Sequence, residues 1–268
     1  MDLKFENIKP NIGAIVRADR ESLGDEAFAR DCLQLLDERG VLVFPEIGLS
    51  DDEQLAFTDK LGARVNFTRT ANDVYTVTLD PKINTEPEYV LGTFFWHMDG
   101  LTSNIARPKA TVLSARRTAR KGGQTEFAST YAAYQYLPED EKREIESLRV
   151  IHTVVAAVRE VATPEELDTL RRGFRQEHPL VWTDKSGRRC LLIGYTADEV
   201  VGMSKAEGRA LLARLLEWAA QPAFTYRHQW QVGDLVVWDN CGALHRVIPY
   251  DKDSGRLMHR TSVAGAAA

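Results

Sequence analysis

From Tyr75 onward the chain is a succession of short β-prone runs: "YTVTL", "ATVLSA", "VIHTVV", "CLLIG", "FTYRHQW", "DLVVW" and "LMHRTSV". Each is rich in Val, Thr, Leu or aromatic residues and falls within the roughly four to eight residues typical of strands, too short for amphipathic helices. Many short strands interrupted by a few helices predict a β-sandwich or barrel decorated by helices. Between "FTYRHQW" and "DLVVW" the tripeptide "QVG" predicts a hairpin. Two helical insertions break the strand series. "LPEDEKREIESL" has Pro138 suited to a first turn, and "SKAEGRALLARLLEWAA" opens with a capping box, Ser204 with Glu207.

The N-terminal third mixes helix and strand. In "GDEAFARDCLQLLDERG", Phe28, Cys32, Leu35 and Leu36 share one helical face and Gly40 supplies a left-handed stop. The run "VLVF" follows as a buried strand ended by Pro45. "SDDEQLAFTDKLG" then opens with a second capping box, Ser50 with Glu53, and closes at Gly62.

A chain of 268 residues buries a sizeable core without disulfide or metal staples, so a metal here would be functional. No run approaches the roughly 20 apolar residues that span a bilayer, and "MDLKFENIKPNIGAIV" lacks a basic start followed by an apolar stretch. No membrane association is expected, and the expected compartment is cytoplasmic. Net charge is −5 with basic residues dispersed apart from groups such as "SARRTARK", which argues against nucleic acid as a partner. Cys32, Cys190 and Cys241 show no paired spacing, so they read as free thiols.

Chemistry enters with "FWHMDG". In an extended segment residues two apart point the same way, so His97 and Asp99 can present an imidazole and a carboxylate to one ion. His245, just after the β run "DLVVW", can add a third ligand. Two histidines and a carboxylate with open positions are the donor set of non-haem Fe(II) oxygenases. Taken alone, His-x-Asp also suits a polar turn. In "GRLMHR", strand alternation places Arg256, Met258 and Arg260 on one face. Two inward guanidiniums need anions, since an unpaired buried charge costs several kcal/mol, and the planar fork of arginine suits a carboxylate. An edge strand with solvated arginines is the other reading of this motif.

Taken together, these motifs resemble the taurine dioxygenase/TfdA family of Fe(II)- and 2-oxoglutarate-dependent oxygenases, from "GAIV" to "SVAG". The matching stretches are "GVLVFPEIGLSDDEQLAFTDKLG", "WHMDG", "GGQTEFAS", "HPLVWTDKSGRRCLLIG", "WQVGDLVVWDN", His245 and "GRLMHR". The resemblance implies a mainly β fold with helices, a double-stranded β-helix (jelly-roll, cupin-like) core. It implies a single domain over 1–268, with about 1–74 packing on the barrel and about 75–264 forming the jelly-roll core with its helical insertions. It further implies that His97, Asp99 and His245 bind iron. Thr125 and Arg256 would hold the distal carboxylate of 2-oxoglutarate, and Arg260 would lie near the co-substrate or an acidic substrate group. Trp238 would support the site. Dioxygen would be the second co-substrate, succinate and carbon dioxide the by-products, and hydroxylation or oxidative cleavage of a small organic acid the outcome. With Asp99 in the carboxylate position the site lacks the vacancy that halogenase relatives use for chloride. A homo-oligomer, dimer or tetramer, is also implied.

Two departures from the family pattern stand out. Cys241 follows "WDN" where an arginine is common, and Thr93 stands four residues before His97 where a taurine-binding asparagine is expected. Taurine is therefore an unfavoured substrate. The aromatic "TFFW" and a lid around "NFTRTANDVYTVTL" point to an apolar or aromatic acid, with one of Phe94 and Phe95 facing the site. His152 is expected as a satisfied interior histidine, His178 as a loop residue making a structural hydrogen bond, and His228 and His259 as outward-facing strand residues. "RRGFR", from Arg171 to Arg175, reads as a solvated face or lid, and "AGAAA" as a disordered tail. The competing functions are a zinc hydrolase, which leaves Arg256 and Thr125 unexplained, and a non-catalytic jelly-roll binding protein.

Overall fold

Helix α1 (Glu26–Arg39) starts where the Asp25 side chain accepts the Phe28 amide and ends at Gly40, whose φ is 70°. Its apolar face, Ala29, Cys32, Leu35 and Leu36, is buried, and full burial of each leucine contributes roughly 1.5–3 kcal/mol. Phe28 is only half-buried and leans on Phe44. Helix α2 (Asp51–Leu61) carries the expected capping box between Ser50 and Glu53. The protein is described from a computed structural model over residues 3–65, 74–84, 87–103, 106–158, 163, 165 and 175–265.

A seven-stranded sheet has the order β1 (Lys4–Lys9), β2 (Ile12–Arg17), β3 (Val41–Phe44), β13 (Leu235–Asp239), β5 (Ala110–Arg117), β15 (Leu257–Val263) and β4 (Tyr75–Val77). Helices α1 and α2 cover its outer face, where Leu42, Phe44, Val112, Leu235 and Val237 pack. Its inner face carries Val41, Val43, Leu113, Ala115, Val236, Trp238 and Met258. This face meets Phe127 and Ala243 from a smaller sheet ordered β12 (Thr225–His228), β6 (Thr125–Ser129), β14 (Ala243–Val247), together with Trp230 just beyond β12. Two facing sheets with helices outside them form the jelly roll expected from the strand-rich sequence.

After the short helix α3 (Pro87–Gly92), a second apolar core lies under helices α4 (Thr130–Gln135), α5 (Glu139–Ile145) and α7 (Lys205–Ala219). Between them run a three-stranded sheet, β11 (Ala197–Val200), β7 (Arg149–Thr153), β8 (Arg175–Pro179), and a pair, β9 (Val181–Thr183) with β10 (Arg189–Leu191). Pro138 stands at the N-cap position of α5, just before the first turn and without a side-chain cap bond, whereas Ser204 with Glu207 caps α7.

The structure corrects several local expectations. The "QVG" turn joins no hairpin: β12 pairs with β6 and β13 pairs with β3 and β5, so the turn carries the chain from one sheet to the other. Asp234 makes that crossing, since its carboxylate accepts the amides of Gln231 at 2.8 Å and Glu46 at 2.9 Å. His228, expected to face outward, is buried with Nε2 3.0 Å from the Asp234 carboxylate and Nδ1 2.9 Å from the Tyr226 hydroxyl. Strand "VIHTVV" stops at Thr153, whose hydroxyl accepts the Ala156 amide at 3.1 Å and opens the short helix α6 (Val154–Val158). "CLLIG" is strand only as far as Leu191. Strand β1 was not anticipated, because its residues are mostly polar and exposed. His178 lies on β8 rather than in a loop, and its Nε2 is 3.0 Å from the Leu101 carbonyl, the structural bond expected of it. His259 does turn away from the interior, with Nδ1 2.6 Å from Asp51 of α2. The lid segment 66–73, residues 171–174 and the tail 266–268 lie outside the described residues.

Candidate metal centre and co-substrate site

His97 reaches the small sheet by a local backbone accident rather than as part of a strand. It forms an isolated antiparallel bridge with His245 of β14, with the His97 amide 3.0 Å from the His245 carbonyl and the reverse bond 2.9 Å long. Asp99 follows in a turn, so the two side chains converge without a continuous extended segment. Gly194 makes the approach possible. At φ 124° it lies so close that a Cβ there would stand 2.9 Å from the Trp96 carbonyl oxygen and 3.2 Å from the His97 Cα.

One ligand atom from each of His97, Asp99 and His245 lies within 4.8 Å of the others. Asp99 Oδ1 is 3.8 Å from His245 Nε2 and 3.7 Å from an Arg260 terminal nitrogen. The His97 Nδ1 is 2.8 Å from the Phe95 carbonyl, which must accept its proton, and this leaves Nε2 of His97 with a free lone pair. Burial pushes the His245 imidazole down to about 3, with His97 adding to the shift, and burial lowers His97 likewise. Both rings are therefore neutral donors near pH 7. Burial would raise the Asp99 carboxyl, but Arg260, then His245, His97 and the Thr111 hydroxyl outweigh it and hold the group at about 2. Two neutral imidazoles and one ionised carboxylate are nitrogen and hard oxygen donors with no thiolate, a set that fits Fe(II).

Trp238 sits 4.7 Å from the His245 ring, centroid to centroid, and Phe127 sits 6.3 Å from it, so β13 and β6 wall in the imidazole. This is the supporting place expected for Trp238. Behind Asp99 the structure adds two residues that the sequence did not single out. Thr111 of β5 donates to Asp99 Oδ2 at 2.8 Å, and Asn240 donates to Thr111 at 2.8 Å. The available signals were a hydroxyl residue among apolar neighbours in "ATVLSA" for Thr111 and the "WDN" motif for Asn240.

Strand β15 alternates as predicted. Arg256, Met258 and Arg260 are buried, while Leu257 and His259 are half-buried on the other face. Arg256 is 2% exposed, yet among the described residues neither of its terminal nitrogens has a hydrogen-bond partner of good geometry, and Tyr250 only partly offsets its burial. Its guanidinium carbon stands 4.9 Å over the Tyr250 ring, and burial lowers its pKa. A buried guanidinium left this way is costly unless an anion completes it. Gly123 packs against it, with a Cβ there only 3.1 Å from Arg256 Cδ at a φ of 78°, so the "GGQT" loop closes on the arginine. Two residues on, Thr125 is buried, and its hydroxyl accepts from Trp230 Nε1 at 2.9 Å, which frees its proton for another acceptor. Tyr250 and Gly123 are further residues of this end that sequence reasoning missed.

Phe95 stacks on Tyr195 with centroids 4.1 Å apart, and Phe94 meets Tyr250 edge-on at 5.7 Å. Cys241 is a free, half-buried thiol whose amide is held by Asp239 at 3.0 Å. His152 is an interior residue with Nδ1 2.8 Å from the Thr196 hydroxyl.

Comparison with known proteins agrees with this geometry. Residues 4–262 match the family described as taurine catabolism dioxygenase TauD, TfdA family. The chain is 37% identical to the alpha-ketoglutarate-dependent 2,4-dichlorophenoxyacetate dioxygenase of Burkholderia sp. strain RASC, over 99% of this chain and 95% of that protein. It is 32% identical to the (S)-phenoxypropionate/alpha-ketoglutarate-dioxygenase of Sphingobium herbicidovorans, over 96% of this chain and 93% of that one. The crystal structure of AAD-2 in complex with Mn(II) and N-oxalylglycine superposes with a TM-score of 0.83 at 31% identity, covering 99% of this chain and 98% of that one. With sequence and fold matching over nearly their whole length, this chain belongs to the TauD/TfdA dioxygenase family.

Proposed function

We propose that this protein is an Fe(II)- and 2-oxoglutarate-dependent dioxygenase that oxidises a small apolar or aromatic organic acid rather than taurine, with release of succinate and carbon dioxide. The observation that carries the reading is the pairing of a His97, Asp99, His245 donor set, in which Asp99 and His245 are buried and His97 half-buried, with a buried arginine, Arg256, whose terminal nitrogens have no hydrogen-bond partner among the described residues. A zinc hydrolase or a binding module has no use for such an arginine. The relatives named for phenoxyacetate and phenoxypropionate substrates supply the aromatic acid class, and N-oxalylglycine, seen with the structural relative, is an isostere of 2-oxoglutarate.

In this reading His97, Asp99 and His245 would hold the metal through two neutral imidazoles and one carboxylate. Bound iron with 2-oxoglutarate and dioxygen supplies the oxidative decarboxylation and the oxidant for a substrate C–H bond. Arg256 and the freed Thr125 proton take the distal carboxylate of 2-oxoglutarate, a charge-assisted fork of the kind arginine forms best. Arg260 keeps Asp99 ionised and has the charge to orient an acidic substrate group. The apolar walls of Phe127, Trp238 and Met258 keep water from the centre. Hydroxylation at a carbon bearing an ether oxygen gives a hemiacetal, which collapses with cleavage of the C–O bond.

Oxygen-free titration with Fe(II) and then 2-oxoglutarate should produce a visible metal-to-ligand charge-transfer band. Succinate release should then be stimulated by aryloxyalkanoic acids and not by taurine. No band and no 2-oxoglutarate affinity would sink the reading. Stimulation by taurine alone would overturn the substrate class.

A further inference from the structure

We infer that Thr111 and Asn240 are positioning residues that choose which oxygen of Asp99 is offered to the metal, an inference that rests on reading the His97, Asp99, His245 cluster as a metal centre. Neither residue is one of the donors. Both are fully buried, and Asp99 beside them is 8% exposed, so no solvent competes for their bonds.

The direction of each bond is fixed by chemistry. The Thr111 hydroxyl gives its proton to Oδ2 of Asp99, 2.8 Å away. With that proton committed, the Thr111 oxygen can only accept from its other neighbour. Asn240 must therefore turn its amide nitrogen toward it, at 2.8 Å. Asn240 is in turn fixed by its own main chain, whose amide is 3.0 Å from the Lys109 carbonyl two residues before Thr111. The chain of donation runs one way, from Asn240 through Thr111 to Asp99.

Its consequence is an asymmetric carboxylate. Oδ2 is tied to β5, and Oδ1 is the oxygen that approaches His245 Nε2 at 3.8 Å and Arg260 at 3.7 Å. The terminal torsion of an aspartate is broad, so without the Thr111 proton nothing along β5 stops the carboxylate from turning and presenting either oxygen or both. Valine has the shape of threonine and would suit this apolar strand equally well. The hydroxyl is the part of Thr111 that the site uses.

The test is Co(II) titration of the full-length protein, followed by its visible spectrum, for wild type, Thr111→Val, Thr111→Ser and Asn240→Ala. Loss of an outer partner typically weakens a metal site about 10–100-fold. Thr111→Val should lose about tenfold or more in Co(II) affinity and shift the ligand-field bands. Thr111→Ser should stay within about threefold of wild type, and Asn240→Ala should fall between. Circular dichroism melting identifies any variant that fails to fold, and Thr111→Ser keeps the comparison informative if the valine variant does not. Wild-type affinity and spectrum in Thr111→Val, or equal losses in the valine and serine variants, would overturn the inference. If wild-type protein binds Co(II) no better than His97→Ala does, the metal-centre reading itself fails, which is a distinct result.

Discussion

Strand β5 has a polar cluster on each face, and the two are finished differently. On the outer face, under α2, Gln54 gives its amide protons to the Val112 and His259 carbonyls at 3.3 and 3.1 Å and accepts from Ser114 at 2.6 Å. Thr58 donates to the Gln54 carbonyl, and its hydroxyl lies 2.7 Å from that of Thr261. No side-chain polar atom of these four residues lacks a partner, and the one gap beside them is Nε of Arg116, whose terminal nitrogen also reaches Gln54. On the inner face the donation from Asn240 through Thr111 to Asp99 is complete, but around it His245 Nδ1, Asn240 Oδ1 and both terminal nitrogens of Arg256 are buried without partners. A buried polar group costs free energy unless it is paired. The nearly saturated outer cluster therefore holds α2 on the sheet with the chain's own groups, whereas the inner one leaves donors open for the ligands of the proposed function.

That contrast can be broken most sharply at the metal donors. His97→Ala should abolish succinate release with no loss of the cooperative thermal transition, and a variant that fails to fold would place His97 among the structural residues instead. Arg256→Leu comes next. It should raise the KM for 2-oxoglutarate about 30-fold, equivalent to losing about 2 kcal/mol of a buried charge pair, while the ligand-free protein becomes no less stable, because an unpartnered buried guanidinium is gone. A marked drop in ligand-free stability would show that Arg256 belongs with the saturated cluster.

The outer face should behave in the opposite way. Gln54→Leu strands Ser114 and two carbonyls and should cost about 2–4 kcal/mol in urea unfolding, with turnover per folded molecule unchanged. Ligand addition separates the faces again. Metal and 2-oxoglutarate at about 100 times Kd should stabilise wild type by about 2.7 kcal/mol. Gln54→Leu should keep that increment and Arg256→Leu should lose most of it.

His152 falls between the two classes, with Nδ1 bonded to Thr196 and Nε2 without a partner of good geometry among the described residues. Burial, then His178 and Arg107, push it from 6.5 down to about 3. Between those values the unfolded chain binds a proton that the folded one does not, so the stability it contributes is full above about pH 6.5 and declines as pH falls toward 3. His152→Gln should flatten that part of the curve, which urea midpoints at pH 5 and pH 7 would show as the smallest effect of the set.

How much was legible follows the range of each interaction. The capping boxes at Ser50 and Ser204 were readable because both partners lie three residues apart. The arginine face of β15 was readable because strand alternation is a local rule. The "QVG" turn was misread because a turn motif says where the chain reverses, not which sheet receives it, and Asp234 makes that choice through Glu46, far away in sequence. His228 was misplaced because strand alternation does not reveal that Asp234, beyond the turn, folds back to become its buried partner.

By itself the sequence determined the periodicities, the helix ends, the donor chemistry of His97, Asp99 and His245, and the pair of guanidiniums facing one way. These are set by the chain's own covalent order and by hydrogen bonds a few residues long. Tertiary structure alone decided that Thr111 meets Asn240 across 129 positions, that Gly194 lets His97 dock beside His245, and which buried atoms remain unpaired. Pairing and burial are properties of the packed whole, because a hydrogen bond between distant residues exists only once the sheets have closed around it.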